Sequence, residues 1–74
     1  MATLTDLMTE CLQRAGGEAD VEEIYLYVMR NFSHLSAPPR DIRHKITNGL
    51  WAMSKRGVLT KVSAGRWKLA AENR

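Results

Sequence analysis

Apolar residues recur at helical spacing in three successive segments of the chain. In residues 4–15 they fall at positions i, i+3, i+4, i+7, i+8 and i+11, the spacing of a stripe along one side of a helix. Residues 21–32 repeat that spacing. In residues 40–56, four apolar positions fall within an arc of about 100° when successive residues are turned as in a helix. The pattern predicts three amphipathic helices whose apolar stripes share one core.

Capping and turn residues predict where these helices begin and end. Two residue pairs have the three-residue spacing of a capping box, namely Thr3 with Asp6 and Asp20 with Glu23. The glycine pair at 16 and 17 predicts the end of the first helix, and the second helix should end near residues 31–34. Pro39 suits the first position of the third helix, and Gly57 predicts its end. The third helix is therefore expected to span residues 40–56.

After Gly57 the chain changes to the alternating pattern of β-strands, in the segment VLTKVSAGRWKL at residues 58–69. Alternate residues of a strand face opposite sides. The residues expected to face the core are Leu59, Trp67 and Leu69, and those expected to face the solvent are Thr60, Arg66 and Lys68. The tripeptide SAG supplies the turn, because Gly65 can adopt a positive φ. This pattern predicts a two-stranded hairpin, which must pack on the helices because such hairpins are marginally stable alone.

The expected fold class is α+β, with three helices followed by a C-terminal two-stranded hairpin. Seventy-four residues make a single domain, near the lower limit for folding without covalent or metal staples. The core is expected in residues 4–69, and residues 70–74 are expected to form a frayed tail. Cys11 is the single cysteine of the chain, which excludes an internal disulfide, so packing must supply the stability.

Patterns typical of catalysis or cofactor binding do not stand out in the sequence. His34 and His44 lie ten residues apart without zinc-site spacing, and no Ser, His and Asp set or Gly-rich phosphate loop stands out. We therefore expect a non-enzyme without cofactor, metal or small-molecule substrate. No apolar run reaches the roughly 18 to 20 residues of a membrane span, and the N-terminus lacks a basic leader. The expected location is the cytoplasm, associated with the nucleoid, for a bacterial or phage protein and the nucleus for a eukaryotic one.

Charge is divided along the chain, although the net charge is only +3. Residues 1–39 carry two cations and six acids, a net charge of −4, whereas residues 40–68 carry eight cations and one acid, a net charge of +7. Segregation of this kind is typical of a polyanion-binding face on an acidic body. A solvated basic surface without a ligand has the same pattern, so charge alone leaves both interpretations open.

The order of elements and several positions resemble a winged-helix (winged helix-turn-helix) DNA-binding domain. The resemblance covers residues 4–69 and includes the pattern G-x-W-x-L from Gly65 to Leu69. The segments GGEADVEEIY and GVLTKVSAGRWKL are similar to the N-terminal winged helix of Mrr-type restriction endonucleases. The resemblance implies binding to double-stranded DNA, in a regulatory or targeting module. It implies that the third helix, residues 40–56, enters the major groove and that the hairpin, residues 58–69, lies against the backbone or minor groove as a wing.

Side chains in the basic half of the chain agree with this implied function. Base edges in the major groove are read by side chains such as Arg, Asn and Thr, and phosphates are bound by Lys and Arg. The candidate DNA-binding residues are Arg40, Arg43, His44, Thr47, Asn48, Lys55, Lys61, Arg66 and Lys68. Asn48 can pair bidentately with adenine, and an idle surface amide is the alternative. Trp51 lies on the same side of the helix and is expected to pack on the hairpin, with base stacking as the alternative.

A protein-interaction domain is the second hypothesis. Leu26 and Tyr27 fall outside the main apolar stripe of the second helix and leave a modest apolar surface there. Either that surface or the basic face could bind a protein, as a homodimer or with a larger partner. Charge placed on the third helix and the hairpin together favours DNA, whereas an apolar solvent face on the second helix favours a protein.

Overall fold

Three α-helices and a three-stranded antiparallel sheet form the described part of the chain, residues 3–35 and 40–70 of a computed structural model. In chain order the elements are α1 (Leu4–Arg14), β1 (Glu18–Asp20), α2 (Val21–Arg30), a 3-10 turn (Phe32–His34), α3 (Ile42–Lys55), β2 (Leu59–Ser63) and β3 (Arg66–Leu69). The expected α+β class is confirmed. All three helices and one face of the sheet contribute to a single core.

Each helix buries most of the stripe that its hydrophobic spacing predicts, although Ala15 and Met29, which belong to the first two stripes, are exposed. The buried helical side chains are Leu7, Met8, Cys11, Leu12, Ile24, Val28, Ile42, Ile46, Leu50 and Met53. From the hairpin, Leu59 and Trp67 complete this core, and Leu69 is partly buried against it. The hairpin therefore belongs to the core and is stabilised by the helices, as a strand pair of this size requires.

The predicted capping residues occupy the N-termini of α1 and α2. The backbone N–H of Asp6 donates to Thr3 Oγ1 at 3.1 Å, and the N–H of Thr3 donates to the Asp6 carboxylate at 3.2 Å. At α2, the N–H of Asp20 donates to Glu23 Oε1 at 2.8 Å. Bonds of this kind satisfy donors that a helix N-terminus leaves unpaired. The first helix ends at Arg14, ahead of the two glycines as predicted, and both glycines adopt positive φ.

The third helix is shorter than the predicted span of residues 40–56. It runs from Ile42 to Lys55, and Asp41 is its N-cap, with a carboxylate that accepts a hydrogen bond from the His44 N–H at 3.3 Å. Because this cap satisfies a donor of the first turn, the helix begins after Asp41, and Arg40 lies outside it. The prediction for Pro39 lies outside the described residues, as does the predicted tail beyond residue 70.

The prediction of a two-stranded sheet is wrong, because a third strand completes it. Strand β1 pairs antiparallel with β3, which gives the strand order β1-β3-β2. Ala19 lies opposite Trp67 and is completely buried. A backbone hydrogen bond of 2.7 Å from Leu69 N–H to Gly17 O extends the pairing. Strand β1 has only three residues, between the glycine pair and α2. An alternating pattern needs more residues than this to be recognised, so the sequence does not predict the strand.

Gly49 allows α1 and α3 to approach each other closely. A Cβ atom at this position would lie 3.2 Å from Cε and 3.4 Å from Sδ of Met8, which is completely buried. Both contacting atoms belong to the flexible end of the Met8 side chain, so adding one methyl group at Gly49 requires only a small shift of that side chain. A branched side chain would have to displace a packed core residue.

We expect Gly49→Ala to change the free energy of unfolding by less than about 1 kcal/mol, because the gain in helix propensity offsets the tight contact with Met8. Gly49→Val should destabilise the fold by roughly 1–3 kcal/mol. Urea denaturation measures both effects. In a Met8→Ala background the valine should cost less, since the space that it needs is then empty, and equal costs in the two backgrounds would contradict the contact.

Candidate nucleic-acid interface

A stripe of five exposed residues runs along α3 on the side away from the core. We call the set the α3 stripe, and its members are His44, Thr47, Asn48, Trp51 and Lys55. Their spacing of i, i+3, i+4, i+7 and i+11 places them on one side of the helix, opposite the buried stripe. The structure thus brings together four of the nine candidate residues, and a fifth, Arg40, is exposed just ahead of the helix.

The polar groups of the α3 stripe differ in what they can offer a ligand. The Thr47 hydroxyl donates to the backbone carbonyl of Arg43 at 3.1 Å, so its oxygen remains as an acceptor. Asn48 is exposed, and within the described residues no hydrogen bond engages its side-chain amide. The amide can therefore both donate and accept. His44 takes part in the helix cap through its backbone N–H, which leaves its exposed ring available.

Trp51 links the α3 stripe to the hairpin. Its ring meets that of Trp67 in a T-shaped contact, with 5.1 Å between centroids and an interplanar angle of 88°. The ammonium group of Lys61, on β2, lies 4.8 Å from the centroid of the Trp51 ring, within the range of a cation–π contact. The expected packing of Trp51 on the hairpin is therefore present. This packing does not bury the ring, because 45% of Trp51 remains exposed.

The pleat of the sheet divides the candidate cations of the hairpin between its two faces. Lys61 lies opposite Trp67, so both are on the core-facing side, where Lys61 reaches Trp51 at the edge of the core. Lys68 lies opposite Thr60 on the outer side. Lys61 is therefore continuous with the α3 stripe, whereas Lys68 belongs to a different surface.

Arg66 is held by the acidic strand β1. Its guanidinium donates to Glu18 at 2.5 Å and to Asp20 at 2.8 Å, and only 39% of its side chain is exposed. Hydrogen bonds to Glu18 and to Asp20 raise the pKa of Arg66. The sequence predicts a DNA contact for this residue, but its position fastens β1 to β3. Two carboxylates would compete with a phosphate for its donors.

Arg43 faces α2 and lies outside the α3 stripe. Its guanidinium donates to both carboxylate oxygens of Glu22, at 2.7 and 3.2 Å, and lies 4.2 Å from the centroid of the Tyr25 ring. The hydrogen bonding raises the pKa of Arg43 and lowers the pKa of Glu22. Bidentate geometry makes this a strong pair for an exposed position, so a DNA contact by Arg43 would require breaking it.

The ion pairs leave a smaller basic surface than the charge count suggests. Within the described residues, no ion pair engages the remaining candidate cations, Arg40, Lys55, Lys61 and Lys68. Lys45 and Arg56 are also exposed and unpaired in that part of the chain. Neither is a candidate residue, because the sequence places Lys45 at the edge of the apolar stripe, where its stem can cover apolar surface, and Arg56 at the helix end, where the dipole favours a cation. Their charge is the one sequence signal that could have identified them.

Metal, thiol and membrane-spanning features bear on other kinds of site. Across residues 3–35 and 40–70, no three His, Cys, Asp or Glu side chains are grouped so that they could hold a metal ion. A pocket of about 250 Å³ lies between α1 and α2, with Cys11, Leu26 and Tyr27 among its walls. Burial raises the pKa of the Cys11 thiol, which disfavours the nucleophilic thiolate. In the same ranges no helix has both the length and the apolarity to cross a bilayer.

Comparisons with protein-family models, with curated proteins and with solved structures find no match for this chain. They neither support nor oppose the winged-helix resemblance. The functional assignment therefore depends on the geometry of the α3 stripe, the hairpin and the ion pairs around them.

The pair of Glu22 and Arg43 predicts a pH-dependent contribution to stability. A carboxyl group whose pKa is lowered on folding stabilises the fold above its unfolded pKa of about 4.3, and this contribution is lost as pH falls through the folded pKa. NMR titration should find a lowered pKa for Glu22 in the native protein and a pKa closer to the ordinary value in Arg43→Gln.

The matched control is Arg30→Gln, which removes an arginine from the other end of α2 and should leave the pKa of Glu22 low. A pKa that stays low in Arg43→Gln would show that another group is responsible for the shift.

Proposed function

We propose that this chain binds double-stranded DNA as a winged-helix module, with α3 in the major groove and the β2–β3 hairpin as the wing. The observation that most supports this proposal is the contact between Trp51 and Lys61, because it joins the exposed polar side of α3 to a cation of the hairpin. The two elements thus offer a ligand one continuous surface. The element order, three helices followed by a hairpin that shares their core, supports the winged-helix resemblance.

The α3 stripe has a shape and chemistry that suit a major groove. The groove is about 12 Å wide, which admits an α-helix, and its base edges present hydrogen-bond donors and acceptors. Asn48 lies near the middle of the stripe, and its amide can donate to and accept from the edge of an adenine. Thr47 beside it offers a hydroxyl oxygen and a methyl group that can contact thymine. In this arrangement the middle of α3 contacts the bases.

Cations at the ends of the α3 stripe are placed to bind phosphates. Arg40 precedes the helix, Lys55 ends it, and Lys61 adds a charge from the hairpin. A helix in the major groove has a phosphate strand on each side, so flanking cations set its register without reading the sequence. Lys68, on the outer face of the sheet, is a more peripheral contact.

A module of this size is expected to bind weakly on its own. A single DNA-binding domain buries roughly 600–1,000 Å² of protein surface, and much of its affinity comes from counterions that the phosphates release. Affinity should therefore fall steeply as salt is added. A regulatory role, or the targeting of a larger protein to DNA in a nucleoid or a nucleus, fits such a module. An acidic protein is the competing partner for the same basic surface.

Lys61→Ala should weaken binding to every duplex and reduce the slope of log affinity against log salt by about one, because one phosphate contact is lost. Lys68→Ala should reduce the slope by less, since Lys68 is peripheral. Fluorescence anisotropy with a labelled duplex, between about 50 and 200 mM salt, measures the slopes.

Arg66→Ala is the matched control for this series. It removes a hairpin cation that is already paired with β1, so it should lower stability and leave the slope nearly unchanged. A slope that responds to Arg66→Ala but not to Lys61→Ala would exclude the proposed orientation of the wing.

Asn48→Ala should change which sequences are preferred, because a bidentate base contact is worth about 1–3 kcal/mol of discrimination between bases. Selection from a randomised duplex library, carried out in parallel on the native protein and the variant, measures the preference. Lys55→Ala, on the same stripe, is the control and should weaken binding to all sequences alike. If Asn48→Ala also caused equal losses for every sequence, Asn48 would have no role in reading bases.

A further inference from the structure

An exposed apolar surface lies on α2, on residues separate from the α3 stripe. Leu26 and Met29 leave 56% and 40% of their surfaces exposed. Leu26 also borders the pocket between α1 and α2, whose walls include Glu23 and Arg30. Large apolar side chains exposed beside a groove and bordered by charged residues are typical of a contact with another molecule.

The charges beside Leu26 have opposite signs towards the two ends of the helix. Glu23 precedes Leu26 by three residues and Arg30 follows it by four, which at about 1.5 Å per residue places them roughly 4.5 and 6 Å away along the axis. All three residues lie within an arc of about 60° around the helix. When the α2 helix of a second copy lies antiparallel to the first, Glu23 of each copy faces Arg30 of the other, and the two Leu26 side chains lie close together. This side of α2 is therefore complementary to itself in an antiparallel arrangement.

We propose that two copies of this chain associate through an antiparallel contact between their α2 helices, about a twofold axis near Leu26. In this contact Glu23 of each copy pairs with Arg30 of the other, and the exposed Leu26 and Met29 side chains of both copies pack together between the two ion pairs. In a twofold contact every interaction between different residues occurs twice. Glu23 and Arg30 meet this requirement, because they lie on opposite sides of Leu26 along α2 and can form two equivalent ion pairs.

The neighbouring charges favour a second copy over an acidic peptide. Within the described residues Arg30 has no ion-pair partner in its own chain, whereas Glu22 is already paired with Arg43. An acidic peptide would gain Arg30 but would meet Glu22 and Glu23 on the same side of the helix. An antiparallel copy supplies an opposite charge for both Glu23 and Arg30. The contact uses no residue of the α3 stripe, so the inference does not depend on DNA binding.

Sedimentation equilibrium tests the contact. Specific interfaces of standard size bury about 1,200–2,000 Å², and a single helix pair buries less, so a weak dimer is expected. The average mass should rise from that of one chain towards that of two between about 10 µM and 1 mM protein. Leu26→Gln and Arg30→Glu should each weaken association by about tenfold or more. Lys45→Glu, a charge reversal at an exposed position on α3, is the control and should associate like the native chain.

A second substitution tests the antiparallel register. Glu23→Gln in the Arg30→Glu background should recover part of the lost association, because it removes the like-charge contact between the copies. Glutamine keeps an oxygen that can accept the hydrogen bond from Asp20 N–H, so the capping box is retained. Failure to recover any association would overturn the proposed register.

Three other outcomes would overturn the proposed dimer. They are a chain that stays monomeric at about 1 mM, association that survives both Leu26→Gln and Arg30→Glu, and a loss of equal size in Lys45→Glu. Thermal melting shows whether each variant is folded. Should Arg30→Glu fail to fold, Leu26→Gln decides alone, because it changes no charge and its site is largely exposed.

Discussion

The rest of the structure depends on the burial of Trp67 in the central strand of the sheet. Trp67 is 3% exposed and lies opposite Ala19 of β1 and Lys61 of β2. A buried tryptophan removes roughly 150–250 Å² from water, so this position anchors the sheet to the core. Its T-shaped contact with Trp51 sets where the exposed side of α3 meets the hairpin. Without Trp67, Ala19 of β1 would lose the residue opposite it, and Trp51 of α3 would lose its aromatic contact with β3.

The cations of the chain have two roles: some form ion pairs that stabilise the fold, and others form its exposed basic surface. Within the described residues, the ion pairs between distant elements all use arginine: Arg43 pairs with Glu22, and Arg66 with Glu18 and Asp20. The guanidinium group matches a carboxylate with two parallel hydrogen bonds, whereas an ammonium group is a compact, mobile charge. The lysines of α3 and the hairpin stay outside these pairs in that part of the chain. With Arg40 and Arg56, which are also exposed and outside these pairs, they form the basic surface that a phosphate backbone would meet.

Patterns over a few residues predict most of this fold, and contacts between distant residues account for what they miss. The period of 3.6 residues predicts the three buried stripes and, as their complement, the α3 stripe. β1 is missed because three residues have no period, and its place depends on the small Ala19 lying opposite Trp67. The candidate site is predicted less completely. Arg43 and Arg66 have partners 21 and 46 to 48 residues away, which spacing within a helix or strand cannot indicate.

Amide chemical shifts provide the most direct test of a single DNA-binding surface formed by the α3 stripe and the Lys61 side of the hairpin. They would be recorded while a mixed-sequence duplex of about 15 base pairs is added at low salt, and again after salt is raised. We expect shifts concentrated in residues 40–55 and around Lys61 that fade as salt increases, with α1 and β1 unchanged. No shifts at about 1 mM DNA, or shifts confined to α2 or to the outer face of the sheet, would contradict this surface.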